Sequence, residues 1–158
     1  MSLAHLHLLL NHLPIIGTAV ALGLFIVSFP AKSDEVKQAG LVILAAVALL
    51  ALPAFFSGVG AQGAISKDPA VSSALIEKHE GAAILALLFM EITGGLALVA
   101  LWQRHHTSTS LAVLIFATVT AGLMARVGNT GGDIVTSNGR ILRAEFEETA
   151  ELPPDWPR

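Results

Sequence analysis

The residues of this sequence that could do chemistry are its six histidines. His5, His7 and His12 stand near the N-terminus, His79 lies at mid-chain, and two more follow at positions 105 and 106. The chain contains no cysteine, which excludes disulfides, thiolate nucleophiles, iron–sulfur clusters and cysteine-bound zinc. Any metal or cofactor must therefore be held by imidazole or carboxylate.

The composition is that of a membrane protein. Of 158 residues, 54% are hydrophobic and 13% charged, and the mean hydropathy is +0.71, whereas soluble domains carry about 25% charged residues. These values exclude a soluble enzyme. The formal charge of -3 and the nine scattered Lys and Arg residues provide no basic stripe, so nucleic acid is excluded as a partner.

Four predominantly apolar runs are long enough to cross a bilayer, which takes about 20 apolar residues as helix. They are Leu6–Phe29, Ala39–Phe56, His79–Trp102 and Leu111–Val127. Backbone groups in hydrocarbon must be satisfied within the segment, so the runs predict helices. The short connections predict one all-α integral membrane domain over residues 1–132, a four-helix up-down bundle.

The first run could also be interpreted as a signal peptide, because Ala19-Val20-Ala21 is a passable cleavage site. No Lys or Arg precedes the run, however, and it stays apolar well past that site. We therefore interpret it as the first transmembrane helix.

Four spans place both termini and the loop at residues 60–78 on one side of the membrane, here called the terminal face. This face holds most of the acidic residues, and its positive charges are scattered, whereas Lys32, Lys37 and Arg104 lie in two very short loops on the other side. The density of positive charge in those loops predicts that the terminal face lies outside the cytoplasm.

Four of the six histidines converge on the terminal face. His5, His7 and His12 stand at the start of the first helix and His79 opens the third, and odd-numbered spans run in the same direction. His5 and His12 are seven residues apart, about two turns, and so share one stripe of a continuous helix. His12 also lies about two turns inside its span, a depth at which an ionisable side chain indicates the bundle interior and a function.

Two imidazoles from different helices are the ligands of a b-type haem, and we expect His12 and His79 to be the axial pair. Arg126, where the fourth span returns to the terminal face, is the candidate partner for the propionates. Small residues near the site would make room for the macrocycle; they are Gly17, Gly58, Gly60, Gly81, Gly122 and Gly128. A bis-histidine iron has no open coordination position, so it would transfer electrons.

Two other interpretations of the histidines stay open. In one, His12 and His79 only hydrogen-bond between helices. In the other, a zinc or copper ion is bound; the candidate ligands are His5, His7, His12, His79 and Glu80.

Glu91, near the middle of the third span, has two interpretations as well. It belongs to a proton or quinol site, or it is a neutral carboxyl group bonded to a neighbouring threonine. The threonines within reach are Thr93, Thr118 and Thr120.

Residues 133–158 are expected to lie outside the membrane. Asn138-Gly139 is the strongest short signal for a hairpin turn, and short apolar pairs flank it. It predicts a small hairpin lying over the histidines. The polar, proline-containing tail at residues 145–158 is either a disordered end or a docking strip for a partner subunit.

Three stretches resemble a widespread family of small four-span bacterial membrane proteins of unknown function. They are His7 to Pro14 (His-Leu-Leu-Leu-Asn-His-Leu-Pro), His79, and Gly131-Gly132 with Ile134-Val135 and Gly139. The family typically has His-Pro, then His-Phe-Pro, a third-span histidine and Gly-Gly-x-Leu-Val-Tyr-x-x-Gly; here Leu8, Leu13 and Thr136 replace the first Pro, the Phe and the Tyr. The resemblance implies a cytochrome-like or respiratory-accessory protein of the bacterial inner membrane, with His12 and His79 on the family's histidine positions. It also ranks His7 above His5 as a further candidate haem ligand.

Together these observations predict a membrane b-type cytochrome or anchor subunit of a respiratory or photosynthetic electron-transfer complex. Its partners would be membrane lipids, other membrane or peripheral redox subunits, and quinone. It would relay electrons and have no catalytic residues of its own. The alternative is a cofactor-free structural subunit of a larger membrane complex.

Overall fold

The computed structural model describes residues 3–66, 72–103 and 107–150. His105, His106 and residues 151–158 lie outside the described residues. The described chain forms helices throughout: α1 (Leu3–Leu10), α2 (His12–Ala31), α3 (Asp34–Ile65), α4 (Ser73–Gln103) and α5 (Thr107–Ala150).

Four helical segments are long and apolar enough to cross a membrane, as the sequence predicts. They are His5–Ala31, Asp34–Gly63, Ser73–Gln103 and Thr109–Thr136. Helix α2 packs on α3 and α5, and α4 packs on the same two helices, so α2 and α4 lie diagonally opposite in the bundle. The short helix α1 packs mainly on α3. The all-α, multi-pass four-helix bundle is thereby confirmed.

The first span is divided at Asn11, and Pro14 explains why. A proline lacks the backbone N–H and its ring collides with the carbonyl four residues earlier, which here belongs to Leu10. Helix α1 accordingly ends at Leu10, and α2 begins at His12. Asn11 itself keeps helical dihedral angles (φ -62°, ψ -26°), and its N–H donates to the His7 carbonyl at 2.9 Å, so α1 and α2 together form one span.

The turn between α2 and α3 is tight, which makes the two helices antiparallel neighbours. Lys32 adopts the left-handed conformation with φ 49° and ends α2. Ser33 then caps α3, since its hydroxyl accepts a hydrogen bond from the Val36 N–H at 3.3 Å.

Two helices extend beyond the predicted spans. Helix α3 continues past Phe56 to Ile65 with Pro53 inside it. Helix α5 runs to Ala150 through Asn138-Gly139, so the predicted hairpin is wrong. Only two apolar residues flank that turn on each side, which is too few for a pair of strands, and the residues beyond it are mostly good helix formers such as Ala, Arg, Leu and Glu.

The interior is built largely from small residues, so the helices approach closely. Six members of the two core clusters are alanines, namely Ala21, Ala48, Ala51, Ala86, Ala97 and Ala117. The larger buried side chains Phe25, Leu44 and Val113 belong to one cluster, and Met90 and Met124 belong to the second. This packing, rather than a hydrophobic drive between helices, holds a membrane bundle together.

Adjacent glycines of α4 provide a matched test of that packing. A methyl group added at Gly94 would collide with the Ala48 methyl group, whereas one added at Gly95 would meet nothing within 4 Å. Overpacking costs about 1–3 kcal/mol. We therefore expect Gly94→Ala to lower the Tm of the detergent-solubilised protein and Gly95→Ala to leave it unchanged or raise it. Equal shifts in the two variants would contradict the close contact of α3 with α4.

Candidate functional site

Polar side chains from all parts of the bundle meet at the terminal face. Helix α1 brings His7, and the start of α4 brings His79 and Glu80. The C-terminal part of α3 supplies Gln62, and α5 supplies Thr130. We call these five residues the terminal-face cluster.

His7 is partly buried and is held by α3. Its Nδ1 lies 2.9 Å from the Ala54 carbonyl oxygen. A carbonyl can only accept, so Nδ1 carries the hydrogen and donates it. In the neutral ring, the Nε2 lone pair is then free for another partner.

The ring of His7 lies directly on Gly58. A methyl group at Gly58 would stand 2.8 Å from His7 Cε1, which no side chain could accommodate without moving the ring. The glycine therefore lets the imidazole approach the α3 backbone closely enough to reach the Ala54 carbonyl.

His79 is held in the same way by α5. Its Nδ1 lies 3.0 Å from Thr130 Oγ1, while that hydroxyl donates its single hydrogen to the carbonyls of Arg126 and Val127, each at 3.1 Å. The threonine oxygen must therefore accept from His79, and Nδ1 is again the protonated nitrogen. In this tautomer the Nε2 of a neutral His79 ring carries a lone pair, as in His7.

The two imidazoles lie at the same end of the bundle, His7 against α3 and His79 against α5, and close enough to interact electrostatically. The structure therefore brings together His7 and His79, two of the candidate residues, each with one nitrogen anchored and one free.

Further polar groups surround this pair. Gln62 donates from Nε2 to Glu80 Oε2 at 3.0 Å, which joins α3 to α4. Asn11, one turn after His7, has a buried Oδ1 with no hydrogen-bond partner among the described residues. An orphaned buried oxygen is costly unless a donor outside the described chain meets it.

His12 does not join the pair. It is exposed, and its Nδ1 lies 3.3 Å from the Leu8 carbonyl of its own span. His5 is exposed as well. His7 and His12 are five residues apart, about 140° around a helix, so they face different sides of the span, and His12 shares the exposed side with His5.

Arg126 lies away from the histidines. It is exposed and lines a groove on the outer surface between α4 and α5. Its backbone carbonyl, not its guanidinium, contributes to the cluster through Thr130.

Most of the glycines expected to make room for a macrocycle serve helix contacts instead. A methyl group would collide with Val47 at Gly17 and with Leu3 at Gly60, and it would press on Ile15 at Gly128. At Gly81 and Gly122 it would meet nothing within 4 Å.

Gly131 is a further glycine that contacts an imidazole. A methyl group at this position would stand 3.2 Å from His79 Cε1. Gly131 therefore packs on the ring of His79 as Gly58 does on that of His7, and both rings lie close to a neighbouring helix backbone.

Within residues 3–66, 72–103 and 107–150, no group of three or more His, Asp or Glu side chains is placed to hold a metal ion. Structural zinc sites take four protein ligands and catalytic ones take three.

Glu91 is a separate feature of the α4 interior. Its Oε1 is buried with no hydrogen-bond partner among the described residues. The two candidate partners Thr93 and Thr120 bond to each other at 2.8 Å, and Thr118 donates to the Leu114 carbonyl. These threonines therefore do not satisfy Oε1.

Sequence reasoning missed the groups that anchor the histidines. Thr130 stands beside Gly131-Gly132, a signal that could have drawn attention to it. The Ala54 carbonyl and the orphaned Asn11 oxygen have no sequence signal, since their roles depend on which helices are neighbours.

Comparison with protein-family models, with curated proteins and with solved structures finds no match to this chain. Fold and site together define a four-span helical membrane protein whose terminal face holds two histidines, each hydrogen-bonded through Nδ1 to a neighbouring helix.

The anchoring of His79 predicts its tautomer. Nitrogen NMR of histidine-labelled protein should show His79 protonated on Nδ1, because Thr130 accepts there. Thr130→Val should shift the ring towards the Nε2–H tautomer. Thr136→Val is the control, since Thr136 donates to the Gly132 carbonyl and is exposed. An unchanged tautomer in Thr130→Val would show that this hydroxyl does not orient the ring.

Proposed function

We propose that the chain is a membrane b-type cytochrome or anchor subunit in which His7 and His79 hold one haem b. The observation that carries the proposal is the state of the two rings: Nδ1 of each is bonded to an acceptor, so each Nε2 is left free. Histidines that bind a metal commonly donate their other nitrogen in this way, which fixes the tautomer and the ring orientation.

The surrounding residues fit the same role. Gly58 and Gly131 allow the two rings to lie close to neighbouring helices. Gln62 and Glu80 fix α3 against α4 next to His79.

Haem bound by two imidazoles supplies reversible one-electron transfer. The protein's part is to hold the two rings opposed, to keep Nε2 deprotonated through the Nδ1 bonds, and to surround the site with apolar helices. Its electron donor and acceptor would be other membrane or peripheral redox subunits or quinone. The polar continuation of α5 beyond Thr136 is a surface on which such a subunit could dock.

A second function, that of a cofactor-free structural subunit, is supported by the same hydrogen bonds. His7 joins α1 to α3 and His79 joins α4 to α5, so both imidazoles also serve as bonds between helices. Such bonds contribute about 0.6 kcal/mol each on average in membranes. The two functions differ in the role of Nε2. The haem proposal requires Nε2 of both rings, whereas the bonds between helices use only Nδ1.

Single substitutions of the histidines distinguish the two functions. We expect His7→Ala and His79→Ala each to abolish the low-spin spectrum of bound haem or convert it to a high-spin one, while membrane insertion persists. His12→Ala is the matched control and should keep the native spectrum, since His12 is exposed. If His12→Ala loses the spectrum and His7→Ala keeps it, His12 is the ligand and the assignment of His7 is wrong.

For the membrane itself we propose the bacterial inner membrane, with both termini in the periplasm. The basis is the cluster of Lys32 and Lys37 in the very short α2–α3 connection. A periplasm-dependent reporter should be active when fused after Trp156 and inactive when inserted at the turn of Lys32 and Ser33. The reverse pattern would invert the orientation and leave the bundle unchanged.

A further inference from the structure

The outer surface of the bundle carries a groove between α4 and α5 near the terminal face. Its volume is about 310 Å³. The lining includes Glu77, Lys78, Gly81, Leu85, Leu123 and Arg126. Neither of the paired histidines lines it, so a ligand of this groove would bind independently of the proposed haem.

The groove spans the boundary between headgroups and hydrocarbon. Helix α4 has 31 residues, which at 1.5 Å each makes a rod of about 46 Å against a hydrocarbon core of about 30 Å. About five residues at each end therefore lie among the headgroups. Glu77 and Lys78 stand at that level, and Leu85 lies about two turns deeper.

Two opposite charges at the upper end of the groove have no ion-pair partner among the described residues. Lys78 is paired with Asp133 at 3.8 Å. Among the side chains that the structure describes, Glu77 and Arg126 have no ion-pair partner, although both line the same groove. The groove therefore offers one free carboxylate and one free guanidinium, with no net charge.

The lower part of the groove is apolar and open. Leu85 and Leu123 line it, and a methyl group at Gly81 would meet nothing within 4 Å. A ligand for this groove needs a positive and a negative group at one end and a hydrocarbon chain at the other.

We propose that the groove binds one molecule of phosphatidylethanolamine. The lipid phosphate accepts hydrogen bonds from the Arg126 guanidinium, which is suited to paired contacts with phosphate oxygens. The lipid ammonium donates to the Glu77 carboxylate, and an acyl chain lies along Leu85 and Leu123. A purely anionic lipid would leave Glu77 unpaired beside its headgroup, which is why the zwitterionic lipid fits better.

Native mass spectrometry of the full chain released from nanodiscs tests this assignment. The nanodiscs contain equal amounts of phosphatidylethanolamine, phosphatidylcholine and phosphatidylglycerol. We expect retained phosphatidylethanolamine to exceed each of the others about fivefold, the ratio typical of one exposed charge pair. Phosphatidylcholine shares the phosphate and lacks the ammonium hydrogens, so it isolates the contact with Glu77.

Variants locate the lipid within the protein. Glu77→Gln should remove the enrichment, and Arg126→Gln should lower the retention of all three lipids because they share the phosphate. Glu35→Gln and Lys37→Gln, which change charged residues at the opposite end of the bundle, should leave both enrichment and retention unchanged. Equal retention of the three lipids by the wild type, a preference for phosphatidylglycerol, enrichment that survives Glu77→Gln, or retention unchanged in Arg126→Gln would overturn the proposal. Displacement of the lipid by added ubiquinone, with ubiquinone retained instead, would also overturn it by assigning the groove to quinone.

Discussion

The structure depends on one constraint: a polar group within hydrocarbon must find its partner inside the protein. The hydroxyl groups of the spans obey it locally. Thr18 donates to the Pro14 carbonyl at 2.6 Å, and Ser28 donates to the Phe25 carbonyl at 2.6 Å. Thr93 and Thr120 satisfy each other between α4 and α5. Because hydroxyl groups are satisfied so close to their own backbone, the helices can pack through alanine and glycine contacts.

The same constraint accounts for the bonds that the two histidines make at the terminal face. His7 and His79 each need a partner for a nitrogen, and neighbouring helices provide it through the Ala54 carbonyl and the Thr130 hydroxyl. Each ring has a second nitrogen, and in the neutral form that nitrogen is an acceptor. Two such acceptors at one end of an apolar bundle are the physical basis of the haem proposal.

How much of this arrangement the sequence could predict depends on whether a feature is set by residues that are neighbours in the sequence or by contacts between distant helices. Long apolar runs are strong signals, so the four spans, the bundle and the gathering of His7 and His79 at one face could be predicted. Pro53 and Asn138-Gly139 are local signals that favour an end or a turn, yet α3 and α5 continue through them because packing and good helix formers outweigh them. The choice of His7 over His12 could not be predicted, because it depends on which side of the first span packs against a neighbouring helix.

The central claim is that Nε2 of His7 and Nε2 of His79 bind a haem. The most direct test is to measure the haem content and the visible spectrum of the purified full-length wild-type protein. Protein purified from membranes of haem-sufficient cells should contain one b-type haem per chain. Its reduced spectrum should be that of six-coordinate, low-spin iron. A membrane-inserted protein that is isolated without pigment, and whose spectrum shows no binding when haemin is titrated into it, would contradict the account.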